Sequence, residues 1–282
     1  MLAGLYVAMA CLVPGGVADK SVGLDAPTVT KRFDIALFTI RVQQPRFTNP
    51  FTDVDMTGAF TPEGGRTIRL EGFCDSQDGG VFRLRFCPAQ APAVYKYRIT
   101  FKSADLNRVF SGELSCEPSD HAGPVIVDPR HPKHFIHAGN GEPFYHLGYT
   151  AYHLLDPANS DAEIGKLIDY CKQEGFNKIR FLLTGYPRDN DKASSQAAEY
   201  GVADPWQAAN YGAAAGSMHA LPAWLGEPHR YDFTRFNVEY WQKADRAVRA
   251  MRDAGILATC IFTIEKQGLP REIKALSDAE YR

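Results

Sequence analysis

The sequence predicts a β-sandwich followed by an α/β unit with a parallel sheet. Residues 31–120 contain short segments in which polar and apolar side chains alternate, as in strands that are buried on one face. After Gly148, short apolar runs alternate with segments whose apolar residues recur at helical spacing. An alternation of strand and helix predicts parallel strands that are joined by crossover helices.

The β-sandwich is predicted from five strand segments within residues 31–120. Glycine-rich turns at residues 62–65 and 76–80 separate some of these segments, because glycine adopts a positive φ at little cost. Their spacing fits a small sandwich. The predicted strands are residues 35–40, 67–73, 81–86, 95–101 and 109–114.

Arg83 and Arg85 alternate with apolar residues in the predicted strand 81–86. Successive side chains of a strand point to opposite faces, so both guanidinium groups are expected on the same face. A solvated sheet face is the favoured interpretation, and a ligand site is the alternative.

Residues 121–143 are interpreted as a linker and a β-hairpin. Asn140-Gly141 lies between two apolar runs, which is the strongest short-range signal of a hairpin. His131, His134 and His137 recur every three residues, but Pro132 prevents a helix across a segment that is otherwise strand-like. These histidines are therefore not expected to share a metal, and no metal site is predicted.

The α/β unit is predicted over residues 144–282. The first helix is predicted over residues 161–174, where the apolar residues share one face and Gly175 follows as a C-terminal stop. The further predicted elements are a strand at 178–183, a long connection at 187–228, a helix at 235–254 and, after Gly255, a strand at 256–262.

Composition excludes several classes of protein. The chain has 282 residues, of which 45% are hydrophobic, and a formal net charge of -2, which is typical of a globular protein. No long run of Lys or Arg is present, so nucleic acid is not an expected partner. The apolar stretch 2–17 is shorter than the ~20 residues of a transmembrane helix, so no membrane span is predicted.

Residues 1–18 are interpreted as a secretory signal peptide with cleavage before Asp19, although no Lys or Arg precedes the apolar stretch. This interpretation predicts a secreted or periplasmic protein. Residues 8–11 also resemble a lipoprotein cleavage box, but the usual Leu is missing and a lipid anchor is not expected. Without residues 1–18, five cysteines remain and none forms a C-x-x-C pair, which indicates neither a zinc site nor a full disulfide framework.

The motifs of this chain occur in an order that resembles a known arrangement. Those of the first unit resemble an immunoglobulin-like N-terminal module of unknown function that precedes secreted glycoside hydrolases: Asn49-Pro50-Phe51, Gly72-Phe73 and Arg85-Phe86-Cys87-Pro88. Those of the second unit resemble the apiosidase-like branch of the clan A glycoside hydrolases: Gly123-Pro124, Phe135, Gly141-Glu142-Pro143-Phe144, Leu147-Gly148-Tyr149-Thr150, Gly175-Phe176-Asn177-Lys178-Ile179-Arg180, Tyr231-Asp232-Phe233, Tyr240-Trp241 and Ala254-Gly255-Ile256.

The resemblance implies a (β/α)8 TIM barrel, of which this chain holds about three strands. Such a barrel needs about 250 residues, and residues 144–282 are far fewer. The resemblance places the acid/base Glu after the fourth strand and the nucleophile Glu after the seventh, so both are expected beyond Arg282. A retaining glycosidase needs both carboxylates and no cofactor. We therefore expect carbohydrate as the partner, no cofactor, and an inactive fragment that lacks the catalytic residues.

Arg180 is the main candidate for a supporting role in the site, because barrel active sites form at the carboxyl ends of the strands. Alternation along the second barrel strand points its side chain opposite to Ile179 and Phe181, and a charge inside a barrel requires a carboxylate partner. The resemblance implies that an Arg at this place orients the nucleophile and holds it ionised. The alternative is an Arg that is exposed on the sheet surface.

Aromatic residues near the same strand ends are candidate walls for a sugar ring, whose apolar face stacks on aromatics. Packing in the core is an equal alternative for them. His153 is expected either to bind a sugar hydroxyl or to pack against the first helix. The aromatic candidates are Tyr149, Tyr152, Tyr186 and Trp206.

The remaining candidates follow the second and third strands. Thr184, Gly185 and Thr263 are at strand ends, and Glu265 is expected to be a polar rim residue or an ion-pair partner and not a catalytic group. The long connection 187–228, which holds Trp206 and Trp224, is hypothesised to form one wall of a sugar cleft.

Three functions remain open. The favoured one is the N-terminal part of a secreted glycoside hydrolase that acts on plant or algal polysaccharide. The alternatives are a carbohydrate-binding or adhesion module without catalysis and a degenerate gene product that does not fold stably. The gene beyond Arg282 separates them, since an open frame with an Asn-Glu pair on a fourth strand favours the enzyme and a stop codon favours the others.

Overall fold

The computed structural model describes residues 21–152, 154–155, 159–183, 223–227 and 230–262. Within these ranges the chain forms seventeen strands and two helices. No helix of the described ranges is long and apolar enough to cross a membrane. The proposed signal peptide at residues 1–18 lies outside them.

The first nine strands form two sheets. One sheet has the strand order β1-β3-β7-β6 and the other the order β2-β9-β8-β4-β5, and all neighbours are antiparallel except β2 and β9. The strands are β1 (Val22–Asp25), β2 (Val29–Lys31), β3 (Ala36–Val42), β4 (Asp55–Pro62), β5 (Ile68–Glu71), β6 (Phe73–Cys74), β7 (Val81–Phe86), β8 (Ala93–Lys102) and β9 (Asn107–Glu117).

The two sheets share one apolar core because each presents alternate apolar side chains to the other. Phe60 of β4 and Phe86 of β7 belong to different sheets, and their rings stack with centroids 4.1 Å apart. Each such side chain contributes about 1.5–3 kcal/mol on full burial. The completely buried residues of this core include Phe38, Ile40, Phe60, Leu84, Ile99, Phe101 and Leu114.

A three-stranded antiparallel meander follows, with β10 (Val125–Val127), β11 (Phe135–His137) and β12 (Pro143–Phe144). The predicted Asn140-Gly141 hairpin is confirmed. Gly141 has a φ of +73°, and the N–H of His137 donates to the carbonyl of Glu142 at 2.9 Å. Such a φ is strained for any residue with a Cβ, which explains the glycine.

The next sheet is parallel, with the order β13-β14-β17. Helix α1 joins the first two strands, and helix α2 directly precedes the third. An antiparallel hairpin, β15 and β16, lies before α2. The bounds are β13 (Gly148–Thr150), α1 (Asp161–Gln173), β14 (Lys178–Leu182), β15 (Trp224–Glu227), β16 (Arg230–Phe236), α2 (Val238–Asp253) and β17 (Leu257–Ile261).

The prediction that the second helix begins at residue 235 is wrong. Arg235 and Phe236 end β16, and the helix starts after Asn237, which is its N-cap. Phe236 fits the apolar spacing of the helix in the sequence, but its ring instead contacts Phe51 of the first unit at a centroid distance of 5.6 Å.

Both helices cover the same face of the parallel sheet and form a second apolar core with it. Ile179 and Phe181 of β14 are fully buried beneath them. The helix residues of this core are Ile164, Leu167, Ile168 and Cys171 of α1 and Tyr240, Ala244, Ala247 and Met251 of α2. The other face of the sheet carries no described helix.

A polar interface joins α2 to the first unit. The carboxylate of Asp245 forms an ion pair with Arg85 at 2.8 Å. The Gln242 amide donates hydrogen bonds to the backbone and side-chain oxygens of Asp75 at 3.2 Å each. Arg83 also pairs with Asp75. The expectation that Arg83 and Arg85 lie on a solvated sheet face is therefore wrong, because their side chains are only 30% and 33% exposed and are covered by this contact.

Candidate functional site

The carboxyl edge of the parallel sheet brings together two of the predicted site residues, Tyr152 and Arg180. The Arg180 guanidinium carbon lies 5.7 Å from the centroid of the Tyr152 ring. The N–H of Ala151 donates to the carbonyl of Arg180 at 2.8 Å, and the N–H of Leu182 donates to the carbonyl of Tyr152 at 3.1 Å. These hydrogen bonds extend the pairing between the two chain segments past the end of β13, and they hold the Tyr152 ring beside the Arg180 guanidinium.

Arg180 points away from the helices. It is in register with Thr150 of β13 and Thr259 of β17, and residues in register share one face of a parallel sheet. Its side chain is exposed, and none of the carboxylates in the described ranges forms an ion pair with it. The exposure of Arg180 agrees with the alternative of an Arg on the sheet surface, whereas its position on the face opposite α1 and α2 agrees with the site interpretation.

The two threonines are site-face residues that the sequence reasoning missed. Thr150 is exposed and Thr259 is half-buried, so both offer a hydroxyl beside Arg180. The pairing of β14 with β13 and β17 places both threonines directly opposite Arg180. A polar residue within the apolar run 256–262 was the available signal for Thr259.

Tyr149 lies on the opposite face from Arg180, because it is in register with the buried Ile179. Its half-buried ring contacts Tyr170 of α1 at a centroid distance of 6.1 Å and Phe176 at 5.6 Å. The structure therefore favours the packing alternative for Tyr149 and does not bring it to Tyr152 and Arg180.

Several sequence candidates lie outside the described residues. His153, Tyr186 and Trp206 belong to this group, as do Thr184, Gly185, Thr263 and Glu265. Most of the connection 187–228 is also outside, but its Trp224 begins β15 and contacts Phe233 of β16 at a centroid distance of 5.1 Å.

Two further groups at this edge have structural roles. The Tyr240 hydroxyl of α2 donates to the carbonyl of Leu183 at 2.8 Å, which fixes the chain where it leaves β14. Burial raises the pKa of the Cys260 thiol in β17. A thiol with a raised pKa stays protonated at neutral pH, so Cys260 is not an activated nucleophile.

The histidines of the 131–137 segment do not converge on one point. The rings of His131 and His134 are 6.2 Å apart, whereas His137 packs on Phe144 at 5.2 Å. Among the residues that the structure describes, no group of three or more His, Cys, Asp or Glu side chains could hold a metal.

Comparison with solved structures supports the fold of the chain. A crystal structure described as a "putative glycoside hydrolase" from Bacteroides vulgatus ATCC 8482 superposes with a TM-score of 0.61 at 22% identity, over 84% of this chain and 41% of that chain. This chain therefore spans less than half of that protein. A DUF4426 family protein from Pseudomonas aeruginosa PAO1 has a TM-score of 0.27 at 13% identity, over 35% of this chain and 89% of that chain, which is too low to indicate a shared fold.

Family models match both units of the chain. Residues 30–102 match the model described as "Domain of unknown function (DUF5060)", and residues 130–279 match the model described as "Apiosidase-like, catalytic domain". No curated protein matches the sequence significantly. The catalytic-domain model covers more than half of the 282 residues, and the chain thus belongs to the apiosidase-like family.

Proposed function

We propose that the chain is the N-terminal part of a secreted glycoside hydrolase that acts on plant or algal polysaccharide. In this proposal, residues 31–120 are an immunoglobulin-like β-sandwich and residues 121–143 a linker and hairpin. Residues 144–282 supply the first three strands of a (β/α)8 barrel. The apiosidase-like family match and the fold similarity support a glycoside hydrolase.

The observation that carries the proposal is the placement of Arg180 and Tyr152 on the face of the parallel sheet opposite α1 and α2, which carries no helix among the described residues. In a (β/α)8 barrel the helices lie outside, so the helix-free face becomes the interior, and the active site forms at the carboxyl ends of the strands. Closure of the barrel would bury Arg180. A buried arginine requires a carboxylate partner, which the later strands would supply.

The resemblance to apiosidase-like hydrolases implies the chemistry of a retaining glycosidase. A retaining glycosidase uses an acid that protonates the departing oxygen and, about 5–5.5 Å away, a carboxylate that attacks the anomeric carbon. The proposal assigns both carboxylates to residues beyond Arg282. Arg180 would hold the attacking carboxylate ionised by charge and by hydrogen bonding, since both favour the charged form. Tyr152 would help to position the guanidinium through a cation–π contact, which contributes about 0.5–1 kcal/mol at an exposed site and about 2 kcal/mol once closure of the barrel excludes water.

The proposal predicts that the 282-residue chain alone does not hydrolyse glycosides. The purified chain is assayed with a panel of aryl glycosides, and release of the aryl alcohol is followed by absorbance. Clear turnover of any of them would contradict the assignment of the catalytic carboxylates.

A second experiment uses the chain extended by the open frame that follows Arg282 in the gene. Arg180→Gln is expected to lower kcat about 10²-fold or more, in the range seen when one preorganised donor is removed from an active site. Arg249→Gln is the control, because Arg249 is an exposed residue of α2 whose ion-pair partner among the described residues is Asp245 on the same helix. A stop codon directly after Arg282, or an Arg180→Gln enzyme with unchanged kcat, would reject the proposal.

A further inference from the structure

A cavity of about 370 Å³ lies beside the β10–β12 meander, where residues 128–134 face residues 145–146. Its polar lining includes His131, Lys133, His134 and His146, and its aromatic lining includes Phe135 and Tyr145. Residues 145–146 precede β13, whereas Tyr152 follows it. The cavity is therefore at the amino end of the parallel sheet, opposite the edge that carries Tyr152 and Arg180.

We propose that this cavity is a carbohydrate-binding site selective for a sugar that carries a carboxylate. The inference rests on the proposed function only for the class of ligand, a saccharide. Small-ligand sites have volumes of about 300–1,000 Å³ and combine apolar walls with a few polar groups. A cavity at the lower end of that range accommodates one or two sugar units.

The loop that carries two of the histidines is held in one shape by hydrogen bonds. The N–H of Asp128 donates to the carbonyl of His134 at 2.9 Å, and the N–H of His131 donates to the carbonyl of Asp128 at 3.1 Å. The Asp128 carboxylate accepts the N–H of Arg130 at 2.9 Å. The backbone that carries His131 and His134 is thus held in place before a ligand binds, which lowers the entropic cost of ordering the loop on binding.

The charge balance of the cavity favours an anionic sugar. Asp128 is 4% exposed and also lines the cavity, and the backbone N–H of Arg130 lowers the pKa of its carboxyl group. The Arg130 guanidinium lies 3.6 Å from that carboxylate and offsets its charge. The ammonium group of Lys133 therefore remains as a positive charge in the cavity lining. Hydrogen bonds between such a cation and a carboxylate are stronger than those between neutral groups.

The aromatic wall provides the surface for a sugar ring. The Tyr145 side chain is 67% exposed, so its ring face is accessible from the cavity. The His146 ring stands nearly perpendicular to Phe135 and Phe144, with centroid distances of 4.8 Å and 5.0 Å. Both contacts fix the His146 imidazole at the cavity wall, where its nitrogens can bind sugar hydroxyls.

The test is a titration of the purified 282-residue chain with labelled histidine, followed by NMR. The probes are methyl galacturonide, methyl glucuronide, the neutral methyl galactoside and acetate. We expect saturable shifts of His131, His134 and His146, with each uronide binding about fivefold more tightly than the galactoside, since an ion pair with the exposed Lys133 accounts for a difference of about that size. His121, which lies outside the cavity lining, is the internal reference.

Substitutions separate the charge from the aromatic wall. Lys133→Ala is expected to weaken uronide binding about fivefold and to leave galactoside binding unchanged, whereas Tyr145→Ala weakens both. Lys102→Ala, an exposed lysine of β8, is the matched control and should change neither. Thermal unfolding of each variant verifies that it is folded; if an alanine variant is not, Lys133→Gln replaces Lys133→Ala and Tyr145→Leu replaces Tyr145→Ala.

The inference is overturned if no uronide produces saturable shifts, if the galactoside binds as tightly as the uronides, or if acetate gives the same shifts with the same affinity. The last result would mean an anion site that does not recognise sugar. Because the titration needs no turnover, an inactive extended enzyme would reject the proposed function and leave this site unaffected.

Discussion

Arg85 illustrates how a single side chain connects two parts of this molecule. Its guanidinium carbon lies 4.9 Å from the centroid of the Phe73 ring in the first unit. A nitrogen of the same guanidinium forms an ion pair with the carboxylate of Asp245 in α2 at 2.8 Å. The two side chains are 33% and 27% exposed, so solvent screens their attraction only in part. Removal of Asp245 deprives the half-buried Arg85 of this ion pair, whereas removal of Arg85 leaves Asp245 paired with Arg249 alone.

A double-mutant cycle of Arg85→Ala and Asp245→Ala should give a coupling free energy of about 1 kcal/mol, as is usual for residues in direct contact. Urea unfolding of the four proteins measures it. The control cycle uses Arg246 and Asp161, which pair at 2.7 Å but are 53% and 52% exposed. That cycle should give less than about 0.5 kcal/mol. Equal coupling in the two cycles would contradict a special role for Arg85.

Helix α1 shows at the scale of one element how a local sequence fixes a boundary. Ser160 and Glu163 form a reciprocal capping box: the Glu163 N–H donates to the Ser160 Oγ at 3.3 Å, and the Ser160 N–H donates to the Glu163 carboxylate at 2.7 Å. These bonds satisfy backbone donors that the first turn leaves without a partner. Gly175, with a φ of +78°, directly follows the C-cap residue at the other end.

Ser160→Ala should lower the free energy of unfolding by about 1 kcal/mol, because a capping side chain is lost. Denaturation in urea measures the change. Asp169→Ala is the control, since it removes an exposed carboxylate of the same helix outside the capping box, and its effect should stay within about 0.5 kcal/mol. A control as damaging as Ser160→Ala would contradict the capping role.

The same capping box predicts a dependence on pH. Hydrogen bonds from Ser160 lower the pKa of Glu163 in the folded chain. A carboxyl whose pKa is lower in the folded state stabilises the fold above its unfolded pKa, and this contribution is lost as the pH falls through the folded pKa. Glu163→Ala should thus be less stable than the parent at neutral pH, and the difference should shrink on acidification. A difference that is constant with pH would reject this account.

Helix α2 connects two cores because two of its faces are used. Tyr240, Ala244 and Met251 pack on the parallel sheet, while Gln242 and Asp245 contact the first unit. Both sets recur at intervals of three, four or seven residues, so each occupies one face of the helix. The sequence pattern indicated the apolar face of α2, but it did not indicate that the polar face, with Gln242 and Asp245, contacts the first unit.

At the scale of the whole molecule, the described residues form two apolar cores that are linked through polar contacts on α2. Among the described strands of the parallel sheet, β13 and β17 are the outer ones. An outer strand presents backbone groups that can pair with another chain. Leu147 and Phe262, which flank this sheet, are 56% and 67% exposed.

The purified 282-residue chain is therefore expected to bind the apolar dye ANS, because exposed apolar patches attract such dyes. A variant with Leu147→Ser and Phe262→Ser should show lower dye fluorescence. Val109→Ser is the control, since Val109 of the first unit is 44% exposed but far in sequence from the parallel sheet. Dye fluorescence that is equally low in the parent chain and the double variant would contradict this expectation.

The sequence by itself determined those features that depend on near neighbours along the chain. Periodicity predicts the buried face of α1 and the alternation of strand and helix after Gly148. Residues that favour caps and turns predict the end of α1 and the turn at Asn140-Gly141. Strand β4 was missed because Gly58 and Pro62 weaken its pattern; Gly58 is needed because a Cβ there would lie 2.7 Å from Leu84 of the other sheet.

Only the tertiary structure decided what depends on residues that are distant in sequence. Tyr149 and Tyr152 were equally plausible site residues from the sequence, yet the Tyr149 ring packs on the α1 side and the Tyr152 ring lies beside Arg180, because packing of the helices decides which face of the sheet is covered. From the sequence, Arg85 is predicted to be a surface residue, but in the structure it forms an ion pair with Asp245 of α2. The physical reason is the same in each case: strand register and interface contacts are fixed by long-range packing, which local periodicity does not encode.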